Sequence, residues 1–211
     1  ACCGLYAAYG LRLSSFLVRR HSEDSYAAKF DSLQMKTDMM SFGTKLALVA
    51  GVSFSQALYA LPLAVAMSPA ATRARPAVRL VGWAGVALAA CGLVVEHLAD
   101  EQKLAEKRCK PHLPVMDGLY TFCRHPNYFG ELLFHAGVSC MGASGSPVQV
   151  VACVVPTFFM ASVMLNSARR LDREGEHKYS KVAGYSQWVA NTPVLWPSSL
   201  FASQRIAQSA T

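Results

Sequence analysis

Long uncharged stretches alternate with short charged ones along this chain, and the longest set the architecture. Leu46 to Thr72, bounded by Lys45 and Arg73, is a run of 27 residues without a charge. A helix needs roughly 20 apolar residues to cross the hydrocarbon core of a bilayer. Gly51, Pro62 and Pro69 interrupt the run, which membrane helices tolerate because neighbours satisfy the freed backbone groups. A second span is expected from about Val78 to His97, with Trp83 as an interfacial anchor near its start and Glu96 at its far end. Leu132 to Ala168 gives 37 residues without formal charge, too many for one helix and enough for two short ones. The sequence MGASGSP, Met141 to Pro147, is the natural turn between them, so the pair is expected to form a hairpin. Ala1 to Val18 is apolar apart from Arg12 and reads as the end of a membrane helix whose upstream part is missing. The alternative, a signal peptide, lacks its basic start and small-residue cleavage site. His21 to Thr44 reads as a polar connection with a short surface helix. The expected fold is therefore an all-α, polytopic integral membrane bundle of about five helices, with residues 1–197 as one domain and 198–211 as a polar tail.

Composition agrees with a membrane protein and excludes other classes. Of 211 residues, 53% are hydrophobic and 16% charged, which excludes a disordered chain, a collagen and a coiled coil. Seven cysteines are too few for a disulfide scaffold, and no C-x-x-C pattern occurs. The net charge is +7, so the placement of the basic residues matters. With helices crossing alternately, one face of the membrane carries fifteen Lys and Arg and the other only Arg73, Arg75 and Arg79. That asymmetry follows the preference of basic residues for the cytosol-like side. It accounts for the charge without a nucleic-acid partner, and the expected location is the endoplasmic reticulum or an organellar inner membrane, basic face towards cytosol, matrix or stroma.

Three polar clusters stand out on that basic face. Glu96, Asp100, Lys103 and Lys107 fall on one helical stripe where the second span leaves the membrane. As a solvated helix end the stripe needs no further explanation, but a carboxylate as close to an apolar run as Glu96 must be paired or line a cavity. The second cluster is DGLYTFCRHPNYFGE, Asp117 to Glu131. Pro126 disfavours α conformation at His125, so Arg124, His125 and Pro126 should form a turn, with Asn127 capping a helix that begins at Tyr128. The helix N-terminus, Arg124 and His125 then converge on a spot that suits an anion. Glu131 is the last charge before the 37-residue run and is expected to face the bundle interior. The third cluster, Asn166 to Pro197, includes Arg169, Arg170, Asp172, His177, Tyr179, Tyr185 and Trp188. Its bland reading is the basic and aromatic collar of a membrane exit. No nucleophile triad, P-loop or glycine-rich dinucleotide turn is present, and no His pair at i, i+4 suggests a metal.

Glu96 with Asp100 and Gln102, then Gly118-Leu119-Tyr120 with Arg124-His125-Pro126-Asn127-Tyr128-Phe129-Gly130-Glu131, and finally Tyr185, Trp188, Thr192-Pro193 and Pro197, resemble the steroid 5-alpha-reductase superfamily. The closer resemblance, over nearly the whole chain, is to that superfamily's branch of uncharacterised membrane proteins, which share a domain of unknown function. The resemblance implies a helical membrane enzyme that binds NADPH and transfers hydride to a double bond conjugated with a carbonyl in a lipid-like substrate. It further implies cofactor contacts at Asp100, Asn127 and Tyr128, with Arg169, Arg170, His177 and Tyr179 as further candidates. Arg124, His125 and Glu131 join them from the reading of the turn. No catalytic residue and no metal ligand is assigned.

The sequence departs from that pattern at defined places. Steroid reductases carry substrate-polarising acidic and tyrosine residues in N-terminal helices, a region this chain is read as holding only in part. Lys107 stands near where an arginine is expected, and Trp188 where an aromatic hydroxyl is common. Two other functions stay open. One is methyl transfer from S-adenosylmethionine, since isoprenylcysteine and phospholipid methyltransferases resemble the same Arg-His-Pro-x-Tyr turn and hairpin. The other is a non-catalytic subunit of a larger membrane complex, with membrane lipids and other subunits as partners and no cofactor in use.

Overall fold

The computed structural model describes residues 2–68, 75–142 and 146–196, and every regular element among them is helical. The helices are α1 (Cys2–His21), α2 (Asp24–Asp38), α3 (Phe42–Ala66), α4 (Pro76–Cys109), α5 (Pro126–Gly142), α6 (Pro147–Tyr179) and α7 (Tyr185–Asn191), with a 3-10 turn at Gly118–Thr121 before α5. The polar connection after His21 does hold a surface helix, α2. Ser41 caps α3 by accepting a hydrogen bond from the Thr44 amide at 3.3 Å.

Helices α3, α4 and α6 are long and apolar enough to cross a membrane. In the most apolar window of α3 only 6% of residues are buried within the protein, and in those of α4 and α6 only 17%. Leu46, Val49, Val52 and Phe54 of α3 and Val151, Val155 and Phe158 of α6 are among the large apolar side chains left outward. Surfaces of that extent need lipid against them, and helices satisfy their backbone internally there. The chain is an all-helical membrane protein. Of the five or so membrane helices expected, these three meet the requirement among the described residues. Helix α1 carries Arg12, Arg19 and Arg20, and α5 has 17 residues.

The expected pair of short helices is unequal. Helix α5 ends at Gly142, whereas α6 runs 33 residues and continues through the charged stretch to Tyr179. The end of the uncharged run is not a helix stop, because no residue there interrupts helical geometry. Residues 143–145 of the turn, together with Pro69, Arg73 and the tail 197–211, lie outside the described residues.

The chain divides into two compact units, one of Ala1–Ala90 with Phe134–Phe159 and one of Cys91–Leu133 with Met160–Thr211. In the first unit, backbones of α4 and α5 meet through small residues. A Cβ on Gly85 would lie 2.5 Å from the Gly137 carbonyl oxygen, and one on Gly137 would collide with Ala89. Such close approach is how helices associate where lipid removes the hydrophobic drive. Helix α6 carries a buried proline, Pro156, which deletes one backbone donor. Beside it Ser139 of α5 donates to the Cys153 carbonyl at 2.6 Å and shares a short hydrogen bond with Thr157.

In the second unit the same close packing recurs where Gly130 of α5 faces Gly92 and Glu96 of α4. A Cβ there would lie 2.5 Å from the Glu96 nitrogen. Around this contact the irregular backbone of residues 110–125 is held by side chains. Gln102 of α4 donates to the Asp117 carbonyl at 2.7 Å and accepts from the Leu119 amide at 3.1 Å, bracketing the 3-10 turn. Gly118, between them, has φ 60°, and a side chain there would overlap Gln102. Tyr120 is buried and donates to the Ala99 carbonyl at 3.1 Å, while its own carbonyl accepts from Trp188 at 3.0 Å.

Candidate functional site

The polar cluster belongs to the second unit and draws on α4, the turn before α5, the first turns of α5, and α6. Glu96 and Asp100, one helical turn apart on α4, are both buried, 4% and 6% exposed. Carboxylates are rarely so enclosed unless they are held by partners. Asn127 supplies one such partner, its side-chain amide donating to Asp100 at 3.3 Å. That pairing corrects the expected role of Asn127. Helix α5 begins at Pro126, and the first backbone bond of its opening turn runs from the Phe129 amide to the His125 carbonyl at 3.1 Å. Proline suits the first helical position because its φ is preset and its missing N–H would be unused there. Asn127 therefore sits inside the helix, and its side chain reaches across to α4 instead of capping.

Arg124 and His125 meet on a residue that sequence alone assigns to the membrane collar. Asp172 of α6 lies 3.3 Å from Arg124 Nη2 and 2.9 Å from His125 Nε2. His125 is 7% exposed and its ring stacks on Tyr128 at 5.5 Å between centroids. The Arg124 Nε is buried and has no hydrogen-bond partner. The turn itself is fixed from behind, since the Arg124 and His125 amides donate to the Pro193 and Val194 carbonyls at 2.9 and 3.2 Å. Pro193-Val194 thus acts as a backbone clasp on the turn. In the sequence Asp172 is hidden by its 47-residue separation from His125. Its only signal there is that it is an acid within a basic stretch.

Glu131 lies one turn beyond Asn127 on the same face of α5 and is half-buried. Arg169, Arg170 and His177 of α6 are exposed, and Arg170 pairs with Glu174 of its own helix at 3.6 Å. No ion pair or hydrogen bond among the described residues joins these three to the cluster. Tyr179 belongs to a neighbouring arrangement in which Lys107 donates to its hydroxyl at 3.0 Å, to the Pro111 carbonyl at 3.4 Å and to the Leu113 carbonyl. An ammonium has three donors, and here each has a separate acceptor, which a planar guanidinium would not match.

Burial tunes two further groups. It pushes the Cys123 thiol up to about 11, against a lowering contribution from the His125 backbone hydrogen bond. It also raises Tyr185, helped by the negative charges of Glu176 and Asp172 and opposed by Arg124. Among the described residues no three His, Cys, Asp or Glu side chains group as a metal site.

The cluster thus combines buried acceptors, a guanidinium nitrogen in want of an acceptor, an aromatic stack and a helix N-terminus. The sequence model of DUF1295, described as a protein of unknown function, matches residues 2–192. The chain belongs to the DUF1295 family. All the residues of the polar cluster fall inside the stretch matched to DUF1295. No curated protein and no solved structure matches the chain.

Proposed function

We propose that this DUF1295 protein is a membrane-embedded, NADPH-dependent reductase of a conjugated double bond in a lipid-like substrate, as its resemblance to the steroid 5-alpha-reductase superfamily implies. The observation that carries the reading is the pairing of buried Asp100 with Asn127, together with Arg124, three residues earlier in the chain, whose buried Nε has no partner. A dinucleotide asks for this mixture. Its ribose hydroxyls and carboxamide need acceptors such as Asp100, and its phosphates need guanidinium and helix N-terminal donors. Tyr128, stacked on His125, offers a face for a planar ring. The residues present therefore fit the cofactor. When bound, it would supply the hydride, while these side chains bind and orient it.

Asp172 has a defined part in this scheme. It holds Arg124 and His125 in place and partly offsets the guanidinium charge, so an incoming phosphate would compete for the same guanidinium. The exposed Arg169 and Arg170 would add only a screened, long-range attraction. Asn127→Ala and Asp100→Ala are each expected to weaken NADPH binding about tenfold or more, measured by titration of the purified protein in mild detergent. Unaltered binding in both variants contradicts the pocket.

A further inference from the structure

A histidine in the first unit has a buried ring nitrogen with no hydrogen-bond partner. His135 of α5 is 7% exposed, and its Nε2 is buried without a hydrogen-bond partner. Aromatic rings surround it. Tyr59 of α3 lies 5.2 Å away between centroids, Phe134 lies 5.5 Å away edge-on, and Tyr9 of α1 lies 6.3 Å away edge-on. Tyr9 also stacks on Phe134 at 4.5 Å. The Thr157 hydroxyl of α6 is turned to the His135 carbonyl at 3.3 Å and to Ser139, and not to the ring nitrogen.

A polar atom left unpaired in such a setting costs about 1–3 kcal/mol. A phenylalanine of similar shape would avoid that cost, so packing alone gives no reason for an imidazole here. We propose that His135 is the recognition group of a site, built from first-unit residues, for an apolar membrane-soluble ligand bearing a single hydroxyl or carbonyl oxygen. The inference stands apart from the nucleotide reading and shares no residue with the polar cluster. The ring walls select an apolar body, and Nε2 selects the oxygen. A neutral imidazole nitrogen donates or accepts according to tautomer, so either a carbonyl or a hydroxyl can meet it. Tyr9 and Tyr59, two of the rings around it, are themselves only half-buried.

The test is competitive photolabelling of the full chain in lipid nanodiscs with a diazirine-bearing isoprenoid alcohol, labelled peptides being mapped by mass spectrometry. Labelling is expected on peptides containing Tyr9, Tyr59 or His135, competed about tenfold better by farnesol than by the hydrocarbon farnesene. In H135F, which keeps the ring and loses the nitrogen, labelling should persist while that preference collapses. Equal competition by the two compounds in the unsubstituted protein, labelling confined to other peptides, or an unchanged preference in H135F overturns the proposal. The unsubstituted comparison needs no variant to fold. Because it involves no nucleotide, its outcome is independent of whether NADPH binds.

Discussion

In both units α4 and α5 meet closely at glycines, and the second unit adds side chains that hold irregular backbone in place. At Gly85, Ala89 and Gly137 the backbones of α4 and α5 come together because nothing larger than a methyl group stands between them. Around Asp117 to His125 the backbone is irregular, and Gln102, Tyr120, Trp188 and the Pro193 and Val194 carbonyls supply what helix geometry would otherwise provide. The difference follows from the solvent. Helices in lipid gain no hydrophobic drive from meeting and depend on close contact, whereas non-helical backbone must have every N–H and C=O accounted for. The buried carboxylates Glu96 and Asp100 and the Arg124–His125–Asp172 group all lie in the second unit, where polar side chains are already required.

The sharpest way to break the first half of this contrast is Gly137→Leu. Its Cβ collides with Ala89 and crowds the Gly85 carbonyl, and the expected cost is about 3 kcal/mol, read as loss of monodisperse protein after detergent extraction and heating. Gly51→Leu is the matching control, since nothing lies within 4 Å of a Cβ there and stability should hold. Next in size is Asp172→Ala, which leaves Arg124 and His125 without their shared carboxylate. A loss of about 2 kcal/mol in thermal unfolding is expected, smaller than for a fully buried pair because the Asp172 side chain is 23% exposed. Arg170→Ala, in an exposed pair, should change stability by less than about 0.5 kcal/mol.

Gln102→Ala should cost about 1–2 kcal/mol and speed hydrogen exchange at the Leu119 amide. Gln102→Glu, which keeps the acceptor but loses the donor, should show about half the effect. The smallest effect concerns reactivity. With its thiol raised to about 11 and buried, Cys123 stays protonated at pH 8 and should alkylate far more slowly than exposed Cys109. The folded state favours the neutral thiol, so this group's contribution to stability is complete below pH 9.0, its ordinary value, and is lost as pH rises to about 11. Alkylation of the two cysteines at matched rates at pH 8 contradicts this.

What was legible in the sequence followed from hydrophobic pattern and local chemistry. The uncharged runs predict α3 and the apolar part of α4, and the polar link after His21 predicts α2. The stripe from Glu96 to Lys107 lies on α4 as expected, and the Arg-His-Pro turn stands at the head of α5. Other features needed three dimensions. The uncharged run ends at Ala168 but α6 does not, because charge interrupts a membrane span without interrupting a helix. Residue type alone makes Asn127 a cap, yet Pro126 takes the first helical position and frees its amide for Asp100. Asp172 and the Pro193 clasp depend on contacts between distant parts of the chain, which no local spacing reports. His135 is, in sequence, one more residue of an apolar run, since only its enclosing rings reveal the missing partner.

The most direct test of a nucleotide site in the second unit is to purify the protein in mild detergent and titrate it with NADPH, NADH and S-adenosylmethionine under identical conditions. The predicted result is saturable binding of NADPH, at least about tenfold tighter than S-adenosylmethionine and lost when Asp100 and Asn127 are replaced together. Preferential binding of S-adenosylmethionine would contradict it in favour of methyl transfer, and binding of none of the three would contradict it in favour of a non-catalytic membrane subunit.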